Sequence, residues 1–211
     1  MIGFEEQKRI FELIGNTLRK RVECLVIGGS AMLFYNFSKI ATKDVDMVFA
    51  SERERDFMIE ALDKLGFKKN VYEKGTGKPV RMEFKDMMFD LFAGEVFRFK
   101  ISGGISGRVK EMVEFSNLVA KIISPEDIII LKSMTDRKGD RDDASRIIKE
   151  TNVNWDVILQ EIEWQSKNNP NAAILFYDFL EDLVHDFNAD IPRDVIKKVK
   201  EMYKGMMDRL R

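Results

Sequence analysis

Apolar residues recur at helical spacing from the start of the chain. Phe4, Ile10, Phe11, Ile14 and Leu18 sit among charges and predict an amphipathic helix over residues 4–20. The pattern then shortens. Glu23-Cys24-Leu25-Val26-Ile27 is a brief run of branched apolar residues that stops at Gly28-Gly29-Ser30, which predicts a buried strand ending at a tight turn. A short helix over 31–37 is expected to start there, with Ser30 near its N-cap. Residues 44–49 predict a second strand, and 53–65 a helix closed by Gly66. Further strands are expected over 67–72 and 80–84, separated by the turn-rich Lys74-Gly75-Thr76-Gly77-Lys78-Pro79. Residues 87–92, following Lys85-Asp86, read as the hairpin partner of the strand before them.

After Gly107 the texture changes. Residues 108–123 leave room for one more strand or two. Ser124-Pro125-Glu126-Asp127 then supplies a capping hydroxyl, a proline for the first helical position and acids for the first turn. Helical periodicity follows over 128–136, 141–149, 155–167, 172–187 and 193–210, broken at Asn152, Asn169-Pro170 and Ile191-Pro192. The expectation is an α+β fold, in which a mixed sheet-and-helix domain over 1–123 precedes an all-helical domain over 124–211.

Composition narrows the chemistry. The formal net charge is −1, so no global field draws in nucleic acid or an acidic membrane. Cys24 is the sole cysteine and His185 the sole histidine, which excludes a disulfide, a cysteine metal cluster and any mechanism that needs two histidines. Neither a basic-then-apolar leader nor a run of about 20 apolar residues occurs, so a cytoplasmic protein without membrane spans is expected.

Three features carry candidate chemistry. At Gly28-Gly29-Ser30 the glycines let a phosphate approach the backbone, helix-start N–H groups carry partial positive charge, and Ser30 adds a hydroxyl. In Asp44-Val45-Asp46, strand alternation points both carboxylates to one face, about 6.6 Å apart at about 3.3 Å per residue. Like charges so aligned repel unless water or a cation intervenes, and paired carboxylates suit Mg²⁺. Asp90 lies inside the apolar Met87-Met88-Phe89-Asp90-Leu91-Phe92, where a buried acid is costly without a partner. A neighbouring strand can bring it beside Asp44 and Asp46. Together these are the parts of a two-metal displacement on a nucleoside triphosphate, with Asp90 the candidate for helping to deprotonate an acceptor hydroxyl.

The arrangement resembles the DNA polymerase β-like nucleotidyltransferase superfamily. Val26-Ile27-Gly28-Gly29-Ser30, Asp44-Val45-Asp46-Met47 and Phe89-Asp90-Leu91 stand where that pattern has its glycine turn, acid pair and third acid. Within it the chain is similar to the prokaryotic AbiEii-type proteins, the toxin subunits of type IV toxin–antitoxin pairs. That likeness rests on Pro125-Glu126-Asp127, Lys132 and the stretch Arg137, Asp140 and Asp143. The resemblance implies a nucleotidyltransferase fold and Mg²⁺ or Mn²⁺ at Asp44, Asp46 and Asp90. It also implies triphosphate, ATP included, at Gly28, Gly29 and Ser30, with Lys132 and Asp140 near the active site. An acceptor such as tRNA, a protein or an aminoglycoside-like small molecule and an antitoxin-like partner follow from the same likeness.

Other residues read more plainly. Phe34, Tyr35 and Phe37 suit either a base or core packing, while Trp155, Trp164, Phe176, Tyr177 and Phe179 read as helical core. Lys68, Lys69, Lys74, Lys78 and Arg81 can form a local basic strip for an RNA acceptor. Two alternatives stay open at this level: a catalytically silent interaction module on the same fold, and an unrelated α+β domain.

Overall fold

The apolar run that ends at Gly28 becomes the middle of a sheet. In the computed structural model, which describes residues 1–70 and 77–207, two compact units form: Met1–Ser124 and Pro125–Arg211. The first contains β1 (Ile2–Gly3), α1 (Phe4–Thr17), β2 (Val22–Ile27), α2 (Gly28–Phe34), β3 (Ala41–Thr42), β4 (Val45–Phe49) and α3 (Glu52–Lys64). It continues with β5 (Lys68–Asn70), β6 (Val80–Phe84), β7 (Met87–Ala93), β8 (Glu95–Val96), β9 (Phe99–Lys100), α4 (Gly103–Gly107), β10 (Glu111–Phe115) and β11 (Leu118–Ile122).

The main sheet has the order β10-β11-β2-β4-β7-β6-β5, and β8 and β9 extend from the end of β7. It is mixed: β4 runs antiparallel to β2 and parallel to β7, and β11 runs parallel to β2. Burial on both faces explains why β2 and β4 read as near-continuous apolar runs. Helices α1 and α3 pack together and against the sheet, with Phe11, Phe49, Phe67, Phe89 and Phe92 fully buried in this core. Phe67 and Phe89 meet edge to face at 5.3 Å. Phe34 packs on Phe4 at 5.3 Å, and the Tyr35 hydroxyl donates to the Ile123 carbonyl at 2.8 Å. These aromatics are therefore committed to packing.

The expected hairpin is present. Phe84 pairs with Met87 across the two-residue turn Lys85-Asp86, with Lys85 at φ +53. Residues 108–123 give two strands joined by a tight turn at Ser116. The strand expected over 67–72 begins at Lys68; its residues 71 and 72, and Lys74 of the basic strip, lie outside the described residues.

The second unit is helical: α5 (Pro125–Lys132), α6 (Lys138–Glu150), α7 (Trp155–Asn168), α8 (Ala172–Phe187) and α9 (Arg193–Met207). Phe176 and Phe179 are buried at its centre. Trp164 departs from expectation. It is 38% exposed, because its turn of α7 presents that face to solvent while Ile158 and Ile162 take the core. Residues 208–210 of the last expected helix are outside the described range. No described helix is long and apolar enough to cross a membrane.

Candidate functional site

Strand register builds the site. Ile27 of β2 lies opposite Asp46 of β4, Asp46 opposite Asp90 of β7, and Asp90 opposite Arg81 of β6. Facing residues on neighbouring strands share a face, so these four side chains form one row across the sheet. Asp44 departs slightly from the expected strand, since β4 begins at Val45 and Asp44 occupies the bend before it. Its carboxylate still joins the other two. One oxygen each from Asp44, Asp46 and Asp90 lie within 4.8 Å of one another. Asp90 is buried at 6% exposure, and Asp44 and Asp46 are half-buried.

The glycine turn abuts this cluster. Gly28 has φ +60, and a Cβ there would stand 2.6 Å from the Asp46 Oδ2. Only glycine meets both conditions without strain. At Gly29 a Cβ would lie 2.5 Å from the Thr42 Oγ1 and 3.0 Å from the Lys39 Cε. Helix α2 starts at Gly28 rather than at Ala31, so Ser30 sits inside its first turn and is not the N-cap. Ser30 is fully buried, and its hydroxyl donates to the Asp44 carbonyl at 3.4 Å. It thereby ties the phosphate-candidate turn to the bend that carries the first acid.

Arg81 grips the third acid. Its Nε donates to Asp90 Oδ1 at 2.7 Å and its Nη2 to Asp90 Oδ2 at 2.6 Å, a bidentate fork. That hydrogen bonding to Asp90 raises the Arg81 pKa further above its ordinary value, against an opposing desolvation and with added attraction from Asp90 and Asp44. Arg81 was legible in sequence only as one member of a basic strip. Of that strip, Arg81 faces Asp90, while Lys68 stays exposed and pairs with Asp63 at 3.1 Å. Lys39, beside Gly29, carried no signal in sequence, since a lone lysine in a loop has no periodicity to give it away.

Lys132 and Asp140 are in the second unit. Lys132 is 6% exposed, and its Nζ donates to Asp140 Oδ1 at 2.8 Å and to Asp143 Oδ2 at 2.7 Å. Burial works against its charge, yet Asp143 and Asp140 outweigh that and hold its pKa above the ordinary lysine value. Asp140 also accepts from Arg137 Nε at 2.7 Å and from the Thr135 hydroxyl. His185 is surface-exposed on α8, 3.6 Å from Glu181.

A triad of hard carboxylate oxygens suits Mg²⁺ or Mn²⁺ and excludes a soft-ligand metal centre at this position. The sequence matches the family described as "Nucleotidyltransferase of unknown function (DUF6036)" over residues 5–182. The chain belongs to this nucleotidyltransferase family. A solved structure shares the fold at low sequence identity, and two others align more loosely. ANT(2″)-Ia, in complex with adenylyl-2″-tobramycin, aligns with a TM-score of 0.50 at 12% identity, covering 83% of this chain and 97% of that one. A nucleotidyltransferase-like antigenic protein from Paracoccidioides brasiliensis gives 0.47 at 13%, covering 83% and 94%. A putative nucleotidyltransferase from H. pylori gives 0.42 at 15%, covering 97% and 94%. No curated protein matches the sequence of this nucleotidyltransferase.

Proposed function

We propose that this nucleotidyltransferase uses Asp44, Asp46 and Asp90 to bind Mg²⁺ or Mn²⁺ and moves a nucleoside monophosphate from a nucleoside triphosphate to a hydroxyl acceptor. The observation that carries this reading is the approach of three carboxylate oxygens within 4.8 Å on one sheet face, beside a turn that only glycine can form. Bound divalent ions supply charge neutralisation to the triphosphate and acidify an attacking hydroxyl. The chain's own groups do the positioning. Gly28, Gly29 and Ser30 receive the triphosphate through the close-approaching backbone, Asp44 and Asp46 hold the ion site from β4, and Asp90 stands at the acceptor side as proton acceptor.

The acceptor is a hydroxyl on an RNA end, a protein or a small molecule. The tobramycin bound to ANT(2″)-Ia carries its adenylyl group on a small molecule, and an ATP-dependent reaction of that type is one form of this proposal. The AbiEii-type reading is a finer one, in which the enzyme acts as a toxin beside a cognate partner protein. Its support is the proline-led start of α5 together with Lys132 and Asp140. By that likeness Lys132 contributes to triphosphate binding, although its first duty in the fold is to Asp140 and Asp143. A second reading, a catalytically silent interaction module, draws on the Arg81 fork that already occupies Asp90.

Transfer of label from α-labelled triphosphates into extract components or candidate small molecules, with Mg²⁺ or Mn²⁺ present, tests the proposal. Asp46→Ala is expected to lower incorporation by about a thousandfold, the scale of several kcal/mol of lost metal-borne charge stabilisation, with its thermal unfolding unchanged. Equal incorporation by wild type and variant would sink the enzyme reading; no incorporation by either would favour the silent module.

A further inference from the structure

Both oxygens of Asp90 are taken by one side chain. The Arg81 fork sits at 2.6 and 2.7 Å, and it reaches Asp90 from the directly facing position on the neighbouring strand. The Asp90 side chain is 9% exposed, and that of Arg81 28%. The carboxylate is thus enclosed, while the guanidinium is partly exposed. A cation held by Asp44, Asp46 and Asp90 would stand within a few ångströms of that guanidinium. Two positive charges at such range repel strongly in a half-buried site.

We propose that Arg81 is a positioning residue that holds Asp90 toward Asp44 and Asp46 while the site is ion-free, and that yields the carboxylate when a divalent cation binds. The inference rests on the metal reading of the acid cluster. It gives the guanidinium two consequences. It offsets the mutual repulsion of the three acids while no ion is bound, and it sets a threshold that a weakly held cation must overcome. Released from Asp90, the same fork matches the geometry of a phosphate or carboxylate group.

Mn²⁺ titration by calorimetry, without nucleotide, separates this from a merely structural role. Arg81→Gln is expected to bind Mn²⁺ about tenfold more tightly than wild type, because a competing positive charge has gone. Arg81→Lys, which keeps the charge but cannot hold both oxygens, should fall between the two. Loss of a purely structural brace would instead weaken binding. In wild type, the Arg81 side-chain N–H resonance, assigned by its loss in Arg81→Lys, should shift as Mg²⁺ is added. Unchanged or weaker Mn²⁺ affinity in Arg81→Gln, or a resonance that stays fixed while Mg²⁺ binds, would overturn the inference and leave the metal site standing. Binding by wild type no better than by Asp46→Ala would overturn the metal reading and this inference together.

Discussion

The molecule holds two knots of aspartates, and they are wired in opposite ways. In the helical unit, Asp140 and Asp143 both accept from the buried ammonium of Lys132, and Arg137 and Thr135 add further donors to Asp140. In the sheet unit, Asp44, Asp46 and Asp90 bring oxygens within 4.8 Å of one another, with the Arg81 fork on the outer edge at Asp90. Two acids sharing one buried ammonium are part of the architecture. Like charges brought to that range repel, which supports the ligand site proposed there. Asp140 shows the first arrangement in its acidity. Burial pushes its pKa up, but the Lys132, Thr135 and Arg137 contacts hold it below the ordinary aspartate value.

That contrast makes opposite demands on mutants. The largest stability effect is expected at the paired knot. Lys132→Met keeps the length and removes the charge, leaving two carboxylates without their shared cation, and should cost about 3–5 kcal/mol. Both tryptophans of the chain, Trp155 and Trp164, lie in the helical unit, so denaturation followed by their fluorescence reads it directly. A loss under about 1 kcal/mol would break the comparison. Next comes Gly28→Ala, where a side chain must adopt a left-handed backbone and crowd the Asp46 Oδ2. A cost of about 1–2 kcal/mol is expected, seen in thermal unfolding, together with weakened Mn²⁺ binding as Asp46 is pushed aside. The smallest effect belongs to the knot in the sheet unit. Asp44→Asn removes one like charge and also some attraction to Arg81, so unfolding in chelator should move by no more than about 0.5 kcal/mol. A large destabilisation there would show that the acid cluster is architectural after all.

How far the sequence revealed this depends on range. The strand before Gly28, the acid-bearing strand after it and the hairpin through Lys85-Asp86 each announce themselves by short apolar runs and turn residues, and the structure contains all three. That Asp90 stands beside Asp46 was carried in the sequence by the family resemblance rather than by any local pattern, which left an exposed edge strand open as well. The Arg81 fork had no such signal, because a cross-strand partner is set by register and not by sequence spacing. Residues 94–107 were silent for a different reason: two-residue strands and a five-residue helix are too short to show a period. Ser30 was misread as a cap because the glycines ahead of it enter the helix themselves.

The parallel pairing of β4 with β7 has a consequence for how the protein comes into being. Asp46 and Asp90 are remote in the chain, with α3, β5 and β6 between them, so their alignment depends on a long-range strand pairing whose loop-closure entropy is unfavourable. A slip of one residue in that ladder would send Asp90 to the opposite face. A misaligned chain therefore carries all three aspartates without their convergence, and the proposed ion site exists only once the β4–β7 ladder is in register.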